Sequence, residues 1–331
     1  METVCMPQYS DNASRIDRRA AMGLGALALA GSTLSARAET PNETIALWPS
    51  TPPGGQALEL AHRTLENAFL PTDRHLFSIA YPTLTVFRPA RPDGSAILIA
   101  AGGGFSYEAF DLEGTAPAEL FAASGVTAFV LTYRLPGEGW KDAPDVPLQD
   151  AQRAIRIIRA SRDFALDPTR IGILGFSAGG HVAASLATRY GAQVYAPVDE
   201  ADRLDARPSF AALLYPVITM LRPFAHEASC EKLLGPNAPV ALRTAYSVER
   251  AVTADTPPVF LCVAADDADV APDNTLAMFA ALRARKVPSE MHVFENGGHG
   301  FGLGAPGTPE AQWPQLFLRW GSSHRYFRDV A

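Results

Sequence analysis

Apolar residues in this chain follow two rhythms. Short unbroken apolar runs, bounded by Gly, Pro or Asp, occupy residues 83–87, 96–100, 127–131, 171–174, 211–214, 259–263 and 291–294. A strand that is apolar along its whole length is covered on both faces, so these runs predict buried strands. Between them the period lengthens to that of a helix. Leu148, Ala151, Ala154, Ile155 and Ile158 share one face of a predicted helix whose arginines lie on the other, and Leu276, Met278, Phe279 and Leu282 repeat the pattern further on. Buried strands alternating with amphipathic helices predict an α/β fold: a mostly parallel central sheet with helices on both faces. There is no internal repeat and no second compositional block, so residues 83–331 read as one catalytic-size domain.

The segment before the first strand has neither rhythm. Leu47-Trp-Pro-Ser-Thr-Pro-Pro-Gly-Gly55 is Pro-rich, and proline fixes φ and removes a donor. Residues 39–82 therefore read as an extended arm lying on the domain surface. Residues 1–38 have the order of an export signal: the pair Arg18-Arg19, an uncharged Ala/Gly/Leu stretch, then Ala36-Arg37-Ala38 with small residues where a signal peptidase cuts. The expectation is cleavage near Ala38 and a periplasmic or secreted mature chain. The paired arginines and weak hydrophobicity resemble a twin-arginine signal, while Asp17 and Ala20 to Met22 depart from that motif and keep the general secretory route open. The apolar stretch is too short to predict stable membrane insertion.

Charge and cysteine usage narrow the classes. The formal net charge is −7 with no basic run in the body of the chain, which excludes reliance on a nucleic-acid backbone. Of the cysteines, Cys230 and Cys262 are isolated from each other and from any CxxC or Cys/His cluster. Two free thiols and no metal site are the expectation. Nothing in the pattern specifies an oligomeric state.

The candidate chemistry starts at Gly175-Phe-Ser177-Ala-Gly179, which joins the run at 171–174 to a helical stretch beginning near His181. A serine in a sharp strand-to-helix turn is lifted off the sheet, with small neighbours leaving room for the chain to pass. Ser177 is the candidate nucleophile. His181, inside the helix, reads as structural. Gly102-Gly103-Gly104 follows the run at 96–100 and offers amides with no side chains in the way. Gly103 and Gly104, with the N–H of Ala178, are the candidate oxyanion donors, uncertain by one position among the glycines. No GxGxxG or GKS/T completes a phosphate loop.

The expected chain order is serine, acid, histidine. The run at 259–263 ends in Asp266-Asp267-Ala-Asp269-Val270, where Asp267 best fits a turn that tucks the valine into the core, with Asp266 and Asp269 as alternatives. His299 lies in the Gly-rich loop Gly297-Gly-His-Gly-Phe-Gly302 beyond the last strand and is the candidate base. His62, His75, His226, His292 and His324 lack that setting. Such a set works without metal or cofactor, through an acyl-enzyme that water hydrolyses.

With these residues in view, the chain resembles a known group. Leu47-Trp-Pro, Gly102-Gly-Gly-Phe, Tyr133-Arg-Leu-Pro136, Asp150-Ala-Gln-Arg-Ala-Ile155, Asp167-Pro-x-Arg-Ile-Gly172, Gly175-Phe-Ser-Ala-Gly-Gly-His181, Tyr215-Pro-Val, Ala265-Asp-Asp267 and Gly297-Gly-His-Gly-Phe-Gly302 are similar to bacterial acetyl esterases of the acetylxylan-esterase-like, BD-FAE-related α/β-hydrolase family. The resemblance implies removal of short acyl groups, typically acetyl, from carbohydrate esters. It departs at Ala101, where the family commonly has Pro or His, and at Val270-Ala271-Pro272, where it commonly has Val-Pro. The first bears on how the oxyanion loop is buttressed. Relatives are sometimes called xylanases, but glycoside cleavage needs two carboxylates flanking one bond, and no such pair stands out. The alternatives are a general short-chain carboxylesterase, a peptidase of the same fold, or a non-catalytic interaction protein. Phe105 and Trp140 are candidates to stack on a sugar or simply to pack. The loop 137–144 and the insert 218–250 are the expected substrate walls.

Overall fold

The computed structural model describes residues 43–56, 58–67 and 72–328. The expected export signal at 1–38 lies outside the described residues. From the N-terminus the chain forms β1 (Glu43–Ala46), β2 (Arg63–Glu66), β3 (Arg74–Phe77), β4 (Thr83–Phe87), β5 (Ala96–Ala100) and the short β6 (Glu108–Ala109). Then come α1 (Ala116–Ala123), β7 (Thr127–Thr132), α2 (Val146–Ala160), β8 (Ile171–Phe176) and α3 (Ser177–Arg189). The remainder is β9 (Ala211–Leu214), α4 (Glu227–Leu234), α5 (Val240–Ala245), β10 (Val259–Ala264), α6 (Asp273–Ala284), β11 (Ser289–Phe294) and α7 (Trp313–Ser323).

Each of the seven predicted apolar runs is a strand. Together with β1 they form a sheet of order β1-β4-β7-β5-β8-β9-β10-β11. Pairing is parallel from β7 to β11 and antiparallel for β1·β4 and β4·β7. Strands β5, β7, β8, β9 and β10 are buried at every position, as unbroken apolar runs require. Neighbouring residues on β8 show that both faces are covered. A Cβ on Gly175 would meet Ala183 of α3, whereas the adjacent Phe176 ring packs on Trp313 of α7. Successive strand residues point to opposite faces, so α3 and α7 cover opposite sides.

The N-terminal segment corrects the expectation of a surface arm. β1 pairs antiparallel with β4 from Glu43↔Val86 to Ala46↔Thr83, adding an edge strand to the main sheet. Leu47 and Trp48, directly after it, are buried. β2, β3 and β6 make a second, antiparallel three-stranded sheet. The proline pattern conceals these strands because their partners lie far along the chain, and β2 is exposed at all four positions.

Two helical faces also need correction. Arg153, placed on the polar side of α2, is buried, donates to the Leu47 carbonyl (3.0 Å) and pairs with Asp199 and Asp202. Leu276, placed on the apolar side of α6, is 46% exposed.

The core encloses a fully buried ion pair. Arg134 and Asp150 both have fully buried side chains. Asp150 receives the Arg134 main-chain N–H (2.9 Å), its guanidinium (2.8–3.1 Å) and the Trp48 indole N–H (2.8 Å). Arg134 also donates to the Pro53 carbonyl and to Gln149 Oε1. Cys230 and Cys262 are buried free thiols. Among the described residues no helix is long and apolar enough to cross a membrane, and no group of three or more His, Cys, Asp or Glu could hold a metal ion.

Candidate active site

At the end of β8 the backbone passes from extended Phe176 (φ −111°, ψ 138°) into α3 through Ser177 at φ +50°. That left-handed angle is strained for a non-glycine residue and is held by its surroundings. One constraint is the approach of the helix to β5: a Cβ on Gly179 would lie 2.2 Å from the Ala100 carbonyl oxygen. Another is the Ser177 carbonyl, which accepts the Val217 N–H at 2.9 Å. The turn leaves the serine hydroxyl facing a cleft above the carboxyl ends of the strands.

The three residues expected to act together meet there. Ser177 Oγ is 2.8 Å from His299 Nε2, and His299 Nδ1 is 2.7 Å from Asp267 Oδ2. The other carboxylate oxygen of Asp267 accepts the N–H groups of Asp269 (3.0 Å) and Val270 (2.9 Å), and Val270 is buried. The inserted Ala271 therefore leaves the acid turn intact. The two neighbouring carboxylates have other surroundings. Asp266 accepts the Gly298 N–H (2.8 Å), which tethers the histidine loop, and Asp269 lines the cleft. Burial pushes the His299 imidazole toward the neutral form, but the Asp267 hydrogen bond and charge more than offset it, so its pKa stands above the ordinary 6.5. His181 contrasts with it: burial holds its pKa down at about 4, and its Nε2 contacts the Tyr246 carbonyl (2.9 Å). It lies buried in α3, away from the Ser177–His299 pair.

The three amides of the glycine loop after β5 differ in their partners. The Gly102 N–H donates to Glu113 Oε2 at 2.7 Å and is therefore committed. No acceptor among the described residues takes the N–H of Gly103 or Gly104, and both glycines border the cleft with Ser177. Gly103 has φ +123°, and a Cβ there would lie 2.1 Å from the Tyr107 carbonyl oxygen, so only glycine fits. Ala178 supplies a third amide at the N-terminus of α3. Ala101, the departure noted above, contributes its carbonyl, which accepts the Tyr133 hydroxyl (2.8 Å). Tyr133 and Glu113 thus brace the loop.

The cleft has a volume of about 400 Å³. Its floor is Ser177, His299, Gly103 and Gly104, and its walls are polar and aromatic. His75 of β3 stacks on Tyr107 (centroids 4.0 Å apart, planes at 21°), with Asp73 3.0 Å from His75 Nε2. On the other side stand Asp269 and His226, whose Nδ1 is 2.8 Å from Ser229 Oγ. A cavity of about 520 Å³ beneath the β1–β4 edge is larger but contains none of these residues.

The expected walls are only partly right. The insert 218–250 contributes His226 and Ala228, whereas the loop 137–144 borders a separate cavity against α4. Phe105 and Trp140 are 1% and 5% exposed and do not line the cleft. Phe105 sets its edge against His181, and Trp140 lies against the Arg134 guanidinium. Large aromatic surfaces find more to bury inside than at the rim. Sequence reasoning missed Asp73, His75, Tyr107, Glu113, Tyr215 and His226. Only the resemblance segment at Tyr215-Pro-Val hinted at one of them.

The model of the alpha/beta hydrolase fold matches residues 97–303. The chain belongs to that family. It is 30% identical over 226 residues to an acetylxylan esterase of Xylanibacter ruminicola, covering 67% of this chain and 44% of that protein. It is 35% identical over 205 residues to an endo-1,4-beta-xylanase B of Butyrivibrio fibrisolvens, covering 62% of this chain and 32% of that one. The chain thus spans less than half the length of the curated relatives it matches. Among solved structures, an acetyl ester-xyloside bifunctional hydrolase from Caldicellulosiruptor lactoaceticus superposes with a TM-score of 0.72 at 32% identity, over 86% of this chain and 97% of that one.

Proposed function

We propose that this α/β-hydrolase is a serine esterase that removes short acyl groups, principally acetyl, from carbohydrate such as acetylated xylan or its oligosaccharides. The observation that carries the reading is the unbroken hydrogen-bond path Ser177–His299–Asp267, set beside amides that have no acceptor among the described residues. In this reading His299 Nε2 takes the Ser177 proton as Oγ attacks the ester carbonyl. The oxyanion is received by the N–H groups of Gly103, Gly104 and Ala178, each worth roughly 3–4 kcal/mol of transition-state stabilisation. Asp267 fixes the tautomer, with the proton on Nδ1, and stabilises the imidazolium. His299 then protonates the departing alcohol, and water, activated by the same imidazole, releases the acid.

The names of the relatives support an ester substrate on xylan. The cleft walls support a hydroxyl-rich alcohol, since Asp73, His75, His226 and Asp269 are groups that bond to hydroxyls. The xylanase name belongs to a protein of which two thirds has no counterpart here, and it gives no ground for glycoside cleavage by this chain. The N-terminal pattern supports export to the periplasm or beyond. Slower delivery of a reporter fused to residues 1–45 when Arg18 and Arg19 become lysine would favour the twin-arginine route, and an unchanged rate the general one.

The test is acetate release from acetylated xylan by residues 39–331, beside hydrolysis of nitrophenyl acetate and butyrate. Ser177→Ala should lower every rate by about 10⁴-fold or more. Hydrolysis of the model esters without acetate release from xylan would favour a general short-chain carboxylesterase, and full activity in the alanine variant would sink the mechanism.

A further inference from the structure

Behind the cleft runs a second chain of hydrogen bonds that the reaction as written does not use. Glu113 lies on a one-turn π-helix, Asp111–Thr115, and is 3% exposed. Its Oε2 accepts the Gly102 N–H at 2.7 Å and its Oε1 accepts the Tyr215 hydroxyl at 2.8 Å. The Tyr215 oxygen in turn accepts the Gly302 N–H at 3.0 Å. Since that oxygen already receives a hydrogen from Gly302, its own proton points to Glu113. Both carboxylate oxygens therefore meet donors, the environment that an ionised carboxylate complements. Gly302 is pinned on its other side by Trp313, whose indole N–H donates to the Gly302 carbonyl at 2.9 Å. One side chain thus ties the loop that carries Gly103 and Gly104 to the loop that carries His299.

Resting on the esterase reading, we propose that Glu113 is a positioning residue with an electrostatic share in catalysis. Its carboxylate keeps the oxyanion loop and the histidine loop in register, and its charge stabilises the imidazolium formed at His299. The groups that face His299 are few enough to name. Ser177 and Asp267 hold its two nitrogens, the Tyr215 ring meets its plane at a centroid distance of 5.1 Å, and Glu113, Asp269, His226, Asp73, His75 and Tyr107 border the same cleft. Burial pushes the Glu113 carboxyl above its ordinary pKa, while the Gly102 and Tyr215 hydrogen bonds and the neighbouring His299 favour its charged form. Both hydrogen-bond partners are uncharged, and among the described residues no cation is bonded to it. Its charge is among those that raise the His299 pKa, after the opposing effect of burial and the larger contribution of Asp267. Burial pushes the Tyr215 phenol well up, which keeps it a neutral donor.

Two near-isosteric changes separate charge from position. Glu113→Gln keeps the shape and removes the charge, whereas Glu113→Asp keeps the charge and shortens the reach to Gly102 and Tyr215. The His299 pKa is read by NMR titration of the imidazole, assigned by comparison with His299→Asn, and kcat and KM are measured on nitrophenyl acetate across pH. In Glu113→Gln the His299 pKa, and with it the acid limb of kcat/KM, should fall by about half a unit or more. In Glu113→Asp the pKa should stay near its parent value while kcat drops about tenfold or more, with KM changed less than about threefold. A Glu113→Gln pKa equal to the parent's overturns the electrostatic role, and parental kcat in Glu113→Asp overturns the positioning role. Should the glutamine variant not fold, Tyr215→Phe breaks the bridge to Gly302 and must lower kcat, and a parental value rejects the bridge. The NMR shift needs no ester turnover. A shifted imidazole in a protein that cleaves no ester would therefore reject the esterase reading and leave the charge coupling standing.

Discussion

Asp150 and Asp267 are both carboxylates whose side chains are shut away from water, but they are compensated in different ways. Asp150 is met by a resident cation, Arg134, with the indole of Trp48 completing its donors. Asp267 is met by two main-chain amides and by an imidazole that becomes a cation only when it takes a proton. A saturated pair locks elements together. A pair left one proton short of neutrality keeps attraction in reserve for the charged state of a reaction. Both side chains are buried, so burial alone does not distinguish structure from chemistry; the partner does.

The contrast breaks most visibly at Asp267. Asp267→Asn should cut kcat about 10⁴-fold by stabilising the wrong tautomer of His299. Its urea midpoint should move little, and a variant within tenfold of the parent rate would mean that the carboxylate does not orient the base. Asp150→Ala should do the reverse. It leaves Arg134 buried without its counter-ion, a loss of about 3–5 kcal/mol in chemical denaturation. The ester hydrolysis per folded molecule should survive, and a variant as stable as the parent would show that the pair is not needed.

A smaller effect separates the buried His181 from the half-buried His299 by pH. His181 binds its proton only near pH 4 when folded, but near 6.5 when unfolded. Between those values the unfolded chain holds one more proton, so this group's contribution to stability is complete above about pH 6.5 and is lost as pH falls toward 4. The slope it adds is up to about 1.4 kcal/mol per pH unit. His181→Gln should flatten the stability profile by about one proton across that window, and an unchanged slope would contradict a neutral buried ring. His299 has the opposite sign. Its raised pKa stabilises the fold below its unfolded value, and that contribution is lost as pH rises through the folded pKa. The smallest effect is expected at Asp266, an exposed residue whose bond to Gly298 tethers the loop from outside. Asp266→Asn should reduce kcat by less than about tenfold. A loss as deep as that of Asp267→Asn would reverse the roles of the two acids.

The meeting of Ser177, His299 and Asp267 was readable before the fold because each lies in a local pattern. A serine between glycines at a strand end, an acid turn closed by Val270 and a histidine among glycines each announce themselves within a few residues. The apolar runs are equally local, and β5, β7, β8, β9 and β10 are buried along their whole length. What stayed hidden depends on distant partners. Glu113 is one of several acids in a helical stretch until Gly102 and Tyr215, 11 and 102 positions away, close on it. Asp73 and His75 enter the cleft because β3 pairs with β6. Phe105 and Trp140 misled because an aromatic side chain suits a sugar-binding rim and a packed interior equally well in sequence.

The clasp formed by β1, Leu47 and Trp48 sets a lower limit on how far the protein can be trimmed. A fragment beginning at residue 83, where the apolar runs start, would expose the open edge of β4, vacate the pocket filled by Leu47 and Trp48, and deprive the Asp150 carboxylate of one donor. Shortened versions for crystallisation or for fusion to another module therefore have to retain the chain from Glu43 onward.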